Sequence, residues 1–411
     1  MSKKIGVVTG TRAEYGILKP LLIKIKESKD LELNLIVTGL HLLKKYGLTI
    51  KEIEKEGFKI DGIVEMYDDD KEDITYHGKA LAKGIAGFAS LLSKIKPDIL
   101  VVLGDRLEPL AATLAAATLR IPIAHIHGGD KTDSGHIDEN IRHSITRFAN
   151  IHFTATKEHT KRLIKMGEEP WRIFQVGALG LDSVINQKTI SKEDLAKKIG
   201  LHLDDKIIVC VFHPVHLEQE LAGKQMHEIL EAIKELKMQT VIIYPNNDAG
   251  SQDIIEEIEK CKGLPFIKIF PNLPHSDYVN LLKCADVLIG NSSSGIIEAP
   301  SLKLPVVNIG SRNVGREHAE NVIFVDVKKD KIINAIKKAL YDKKFKEKVE
   351  RCINPYGDGK ASERIVKVLG EIKIDKRYLY SYIKESQNFT RLSKKLGLSG
   401  NNVANDVLKL C

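Results

Sequence analysis

Eight consecutive residues, Asn291-Ser292-Ser293-Ser294-Gly295-Ile296-Ile297-Glu298, place small hydroxyl side chains, a glycine and a carboxylate directly after the apolar run 285–289. At a strand-to-helix turn, such residues leave backbone N–H groups and a helix dipole aimed at one point, which suits a phosphate. A carboxylate one turn further on, Glu298, accepts from two hydroxyls at once, as a ribose diol requires. The pairing points to a nucleoside diphosphate. A capped surface helix is the alternative that this segment alone leaves open.

A denser constellation lies earlier, in His125-Ile126-His127-Gly128-Gly129-Asp130 and His136-Ile137-Asp138-Glu139-Asn140-Ile141-Arg142-His143. So many ionisable groups after an apolar strand are hard to explain by packing. Asp138 and Arg142, one helical turn apart, are expected on one face. His125 and His127 would share a face of a strand, and their spacing raises a metal reading with Asp130 or Asp138 as third ligand. The i, i+4 pair of helical zinc sites is missing, so acid–base chemistry is favoured over metal.

Four further segments carry candidate groups. Gly104-Asp105-Arg106 follows the apolar run 99–103, where Asp105 could handle a proton and Arg106 hold a phosphate or substrate; a structural Asp–Arg pair competes. Gly10-Thr11-Arg12 offers a glycine turn and a cation, a common and therefore weak signal. His213, before Pro214, is placed to donate to a phosphate or assist a leaving group, and Asn246 sits in a ligand-facing loop. Arg312, Arg316 and Glu317 follow the run 306–309 and add charge near the proposed phosphates.

The elements that must position these groups form two series. Runs 4–8, 33–37, 99–103, 122–126 and 151–154 read as strands, separated by helical patterns at 17–26, 74–95 and 109–119. A second set follows at 207–212, 240–244, 266–269, 287–289, 306–309 and 322–325. Continuous apolar strands alternating with helices imply parallel sheets covered on both faces. The fold class is therefore α/β, with two doubly wound, Rossmann-like domains over residues 1–180 and 190–355. A polar stretch, 181–203, is the expected hinge. Such sheets bind ligands at the carboxyl ends of their strands, where the polar motifs fall, so one site between the domains is expected.

The remaining constraints are broad. A chain of 411 residues is long for one core. It has no apolar run of about 20 residues and no signal-peptide pattern at its start, so a cytoplasmic protein without a membrane partner is expected. The net charge of +8 decides little, and five cysteines without C-x-x-C spacing fit reduced thiols. The basic segment 371–411 contains a weak helix-turn-helix pattern around Gly397. An amphipathic tail docking on the body or on another subunit is favoured, and nucleic acid is not an expected partner.

Taken in order, these motifs resemble the UDP-N-acetylglucosamine 2-epimerase family, its hydrolysing, sialic-acid-pathway branch above all. The resemblance spans roughly residues 4–369, and adds Gly315-Arg316-Glu317 and Tyr356-Gly357-Asp358-Gly359 to the motifs above. It implies the GT-B arrangement, with residues 356–370 crossing back to the first domain. It also implies a UDP-linked sugar as ligand, a homodimer or homotetramer, and no metal or nicotinamide cofactor. By the same resemblance Ser292, Ser293 and Gly295 meet the diphosphate, Glu298 the ribose, Asn272 and Leu273 the base, and Arg12 the phosphates. Asp105 and Asp138 fall on the family's catalytic carboxylates and His213 near the leaving group. Asp130, Glu139 and Arg142 are substrate or supporting residues. The implied reaction removes the C2 proton as the nucleotide leaves C1, giving a 2-acetamidoglucal that water converts to N-acetylmannosamine. This chain departs from the pattern at His127, where many members carry glutamate; a neutral imidazole can act as a base near pH 7, so His127 joins Asp105, Asp138 and His213 as a catalytic candidate. That departure leaves open the C2 base, and also a UDP- or GDP-linked diacetamido-trideoxy substrate, a non-hydrolysing epimerase or a nucleotide-sugar-binding regulator.

Overall fold

Strands buried on both faces must be apolar throughout, and Ile99–Leu103 is buried at all five positions. In the computed structural model, which describes residues 2–68, 74–131, 137–202, 204–246, 248–375 and 378, this strand is β4 of a seven-stranded sheet. The others are β1 (Lys3–Thr9), β2 (Leu31–Thr38), β3 (Ile60–Val64), β5 (Ile123–Ile126), β6 (Ile151–Thr154) and β7 (Ile173–Gln175). Their order is β3-β2-β1-β4-β5-β6-β7, and every pairing is parallel.

The second sheet repeats the plan with β8 (Ile208–Val211), β9 (Thr240–Ile243), β10 (Ile267–Phe270), β11 (Val287–Gly290), β12 (Val306–Ile309) and β13 (Val322–Val325). Its order is β10-β9-β8-β11-β12-β13, again all parallel. Each sheet therefore reverses direction once, between β1 and β4 and between β8 and β11. Ligand crevices of such sheets open at these reversals.

Two strands of the first sheet, β3 and β7, escape the sequence reading. Both are at edges and are only partly buried, so they lack the continuous apolar run that marks an interior strand. The polar stretch 181–203 holds most of the helix Gly180–Ile185 and all of Lys192–Ile199, and the first of these lies against the helix Arg12–Glu27.

The chain returns to the first domain through Ala361–Glu371. Ile365 and Leu369 of that helix are fully buried with Leu18, Leu21 and Ile25 of Arg12–Glu27, each burial contributing about 1.5–3 kcal/mol. Its N-terminus is capped by the buried Asp182 carboxylate, which accepts from the amides of Ala361 (2.9 Å) and Ser362 (2.7 Å). Outgoing and returning chains meet where the Ala178 amide donates to the Tyr356 carbonyl at 2.7 Å. The helix-turn-helix pattern around Gly397 lies outside the described residues.

Where β8 and β11 part, Gly290 adopts φ +120°, and a Cβ there would sit 2.0 Å from the Val211 carbonyl oxygen. A Gly290→Ala substitution is expected to cost on the order of 3 kcal/mol or more, lowering the urea midpoint of the second domain's transition.

Candidate active site

The second-domain wall is built from the ends of β8 and β11. Past the last ladder bond, the Asn291 side chain ties the two strands: Oδ1 accepts from the His213 amide at 2.7 Å, and Nδ2 donates to the His213 carbonyl at 2.8 Å. The Asn291 carbonyl accepts from Asn313 Nδ2 (2.9 Å) and Arg312 Nη1 (3.2 Å). Arg312, Asn313 and Asn291 are thereby held as one polar unit. Among the described residues, the Ser292 and Ser293 amides carry no hydrogen bond, while Ser294 Oγ joins Ser292 Oγ (2.9 Å) and Tyr278 OH (2.6 Å).

Here the structure amends the sequence reading. The helix after the serine turn, Ser294–Ile297, has four residues, too short for a large macrodipole. Anion affinity at this turn would come from the free amides and Arg312. Gly295 lets the turn lie on β12, since a Cβ would stand 2.9 Å from Val306 Cγ1. Glu298 Oε2 is buried without a partner, and burial lifts the carboxyl to about 7.

His213 is fixed as a donor. Its Nδ1 accepts from the Asn246 amide at 3.1 Å, leaving the neutral ring's proton on Nε2. Burial, and then Arg312, lower its pKa to about 4, so the ring is neutral at pH 7. The Asn246 side chain itself donates to Asp248 Oδ2 at 2.6 Å. Asn272 is exposed and Leu273 half-buried, in the loop between β10 and the helix His275–Cys284.

On the first-domain wall, Asp105 at the end of β4 pairs with Arg142, which is 5% exposed and also donates to Glu139 Oε2 (2.5 Å) and the Asp130 carbonyl (3.2 Å). Arg142 thus serves Asp105, from a different strand end, and Glu139 of its own helix. Asp138 opens the same helix, Asp138–Phe148, half-buried one turn before Arg142. Arg106 turns away from Asp105 to the fully buried Glu108, Nε to Oε2 3.3 Å. Arg12 stands at the start of its helix, exposed, with Glu52 at 3.1 Å. The structure brings Asp105, Glu139 and Arg142 together but leaves Arg12 and Arg106 with carboxylates of their own domain.

The two histidines of β5 do not share a face. The strand ends at Ile126, and His127 takes a left-handed φ of +67°. His125 is buried between Thr146 Oγ1 (3.1 Å) and the Gly104 carbonyl (2.8 Å), whereas His127 Nε2 accepts from the Leu179 amide at 3.2 Å. Among the described residues no three His, Cys, Asp or Glu side chains gather as metal ligands, and His136 lies outside them. Gly129 is required next, because a Cβ there would lie 2.6 Å from the His159 carbonyl.

Asp130 joins the walls. Its carboxylate meets Arg316 of the second domain at 2.9 Å and His159 of the first at 3.3 Å. Burial opposes its ionisation, yet the His159 hydrogen bond and the Arg316 charge hold it far below the usual carboxylate range. Around this pair lies a cavity of about 480 Å³, with His159 and Arg162 on one side and Arg316, Glu317 and Phe324 on the other. Buried His159 Nδ1, Arg316 Nε, Glu317 Oε2 and Tyr356 OH have no partner, which marks the place as built for polar contact. Sequence reasoning missed His159. The available signal was its position in the first turn of Lys157–Lys165, capped by Thr156 just after β6.

Asp130→Asn strands a 90% buried Arg316 and is expected to cost about 3–5 kcal/mol at pH 7. A carboxyl with a depressed folded pKa stabilises above its unfolded value, so the deficit should hold from pH 8 to 5 and shrink well below about pH 4. Urea titrations of both proteins across that range check this.

Comparison with known proteins agrees with the architecture and the order of motifs. A family model for UDP-N-acetylglucosamine 2-epimerase matches residues 23–370. The UDP-N,N'-diacetylbacillosamine 2-epimerase (hydrolyzing) of Legionella pneumophila is 39% identical over 92% of this chain and 98% of its own. The UDP-N-acetylglucosamine 2-epimerase of Neisseria meningitidis serogroup B is 36% identical over 84% and 89%. A crystal structure of UDP-GlcNAc 2-epimerase from Neisseria meningitidis bound to UDP-GlcNAc superposes with TM-score 0.76 at 21% identity, covering 89% of this chain and 99% of that one. With two parallel Rossmann-like sheets in the GT-B arrangement and a family match over most of its length, the chain belongs to the UDP-N-acetylglucosamine 2-epimerase family.

Proposed function

We propose that this protein is a hydrolysing 2-epimerase of a UDP-linked 2-acetamido sugar, releasing UDP and the free C2 epimer. The observation that carries the reading is the set of polar groups that each domain gathers at its strand ends, with Asp130 and Arg316 joining the two domains. One holds unpartnered amides, Arg312 and the unpartnered Glu298 carboxylate; the other holds Asp105, Arg142 and Asp138.

In this reading the Ser292 and Ser293 amides and Arg312 take the diphosphate, with Arg12 reaching across once released from Glu52. Glu298 accepts from the ribose hydroxyls, and Asn272 and Leu273 border the base. A carboxylate, Asp105 or Asp138, removes the C2 proton while the C1–O bond breaks and its electrons leave with UDP. Arg142 and His213 Nε2–H face the charge that develops. Water then adds across the resulting C1–C2 double bond, hydroxyl to C1 and proton to C2 from the opposite face. The balance is one sugar nucleotide and one water to UDP and a free sugar, with no cofactor consumed.

For the sugar, the full-length likeness to the Legionella enzyme favours the diacetamido-trideoxy sugar over the N-acetylglucosamine expected from the motifs. UDP-N-acetylglucosamine stands as the second reading, on the Neisseria relative. Both are tested by incubating the protein with each sugar nucleotide in heavy water and following it by proton NMR. Free epimer deuterated at C2, with UDP released, is the expected product. A stable UDP-linked epimer would sink the hydrolytic assignment.

Asp105→Asn should abolish C2 exchange, a loss of about 10²–10⁴-fold, while UDP affinity stays within several-fold. Loss of UDP binding instead would make Asp105 structural. Because burial holds Glu298 near 7, UDP should bind more tightly as pH rises from 6 to 8 and the carboxylate forms. In the empty protein the sign is opposite: ionising this buried group costs stability as pH rises past about 4.3. Glu298→Gln should flatten the pH dependence of the UDP dissociation constant, measured by calorimetry.

A further inference from the structure

His127 directly follows β5, and its geometry fixes what it can do. The ring leaves β5 at a left-handed residue, φ +67°. Its Nε2 lies 3.2 Å from the Leu179 amide. A backbone N–H only donates, so Nε2 must offer a lone pair, and the proton of the neutral ring resides on Nδ1. Among the described residues Nδ1 has no hydrogen-bond partner, and it is not among the buried unpartnered atoms, so it is accessible on this partly buried ring. A second proton would have to go onto Nε2, displacing the Leu179 amide.

The surroundings act in the same direction. The groups facing the ring are Asp130, three residues on; His159 on the helix Lys157–Lys165; Arg142 on the helix Asp138–Phe148; and Arg316 from the second domain. Asp130 favours a charged imidazole, but it is already engaged by His159 and Arg316, and the other three oppose it. Burial is the largest influence and lowers the ring to about 4. Leu179 belongs to the outgoing interdomain turn, whose neighbour Ala178 bonds Tyr356 of the returning chain, so the tautomer is held by the main chain at both crossings.

We propose that His127 acts as a fixed neutral hydrogen-bond donor, through Nδ1–H, to an acetamido carbonyl oxygen of the sugar, and not as the base that takes the C2 proton. An acetamido carbonyl only accepts, which matches a ring whose other nitrogen is spent. The proposal rests on the reading of the chain as an enzyme of nucleotide-linked acetamido sugars. It deepens that reading by assigning proton abstraction to a carboxylate and sugar recognition to the histidine.

Two measurements test it. In protein labelled with ¹⁵N-histidine, long-range proton–nitrogen correlation reads the tautomer, with His127 identified by its absence from His127→Asn. An Nδ1–H ring unchanged from pH 8 to 5 is expected. An Nε2–H tautomer, or a titration centred above pH 6, overturns the proposal whether or not the protein turns over. The second measurement is C2 exchange in heavy water with UDP-N-acetylglucosamine and the diacetamido analogue. Asparagine tolerates a left-handed backbone, places an N–H near the Nδ1 position and cannot act as a base. His127→Asn should keep exchange within about tenfold, the effect of one altered hydrogen bond. Loss of about 10²–10⁴-fold with UDP binding intact would mean that His127 is the base. His127→Gln can serve Leu179 but leaves no donor at Nδ1. It should weaken binding of the sugar nucleotide about tenfold and leave UDP binding unchanged; equal losses for both would mark a structural role and overturn the proposal. Wild-type protein that exchanges neither sugar would sink the epimerase reading, leaving the tautomer measurement to decide the histidine.

Discussion

The site depends first on how β8 and β11 are held where they diverge. Parallel strands lose their ladder at the point where a ligand must enter, and the exposed main-chain groups need other partners. Asn291 supplies them, with one amide side chain satisfying both the N–H and the C=O of His213. Gly290 makes this contact sterically possible, and Asn313 and Arg312 secure the Asn291 carbonyl in turn. The His213 main chain and the Arg312 guanidinium are both held by this one residue, the first by its side chain and the second by its carbonyl. Neither could be placed by its own segment alone.

The opposite wall follows a related logic, with charge in place of amide. Arg142 is almost fully buried and has Asp105, Glu139 and the Asp130 carbonyl around it. A buried guanidinium needs all its donors met, so its partners are drawn to it from three segments. The neighbouring Asp130 then faces the other domain through Arg316. Main-chain contacts at Ala178 and Tyr356 complete the connection between domains. A fixed imidazole on each wall, His127 and His213, has one nitrogen committed to a backbone amide. Each neutral ring therefore carries its proton on the nitrogen that the amide leaves free.

Much of the architecture was legible in the sequence. Interior parallel strands are continuous apolar runs, and eleven such runs named from the sequence coincide with strands of the two sheets within a residue or two at their ends. The misses, β3 and β7, are edge strands whose mixed polarity reflects their partial exposure. Among site residues, those at strand ends could be named from position, because doubly wound sheets place ligand groups there. Their partners could not. The sequence sets Asp138 and Arg142 on one helix face but does not name Asp105 as the partner of Arg142, and it sets His125 and His127 on one face from strand alternation. The folded chain joins Arg142 to Asp105 and turns the two rings apart, because a neighbouring strand end and a left-handed residue override local periodicity.

By itself, then, the sequence determined the residue types at each strand end, the two-domain α/β plan and the family. These rest on local pattern, which a linear chain displays openly. Only the tertiary structure decided which carboxylate each arginine serves, that Asp130 reaches across the cleft, and that His127 carries its proton on Nδ1. Each of these depends on a partner far along the chain, from 37 residues away for Asp105 and Arg142 to 186 for Asp130 and Arg316. Hydrogen-bond direction and buried charge are properties of such contacts, and they exist only once the chain has closed on itself.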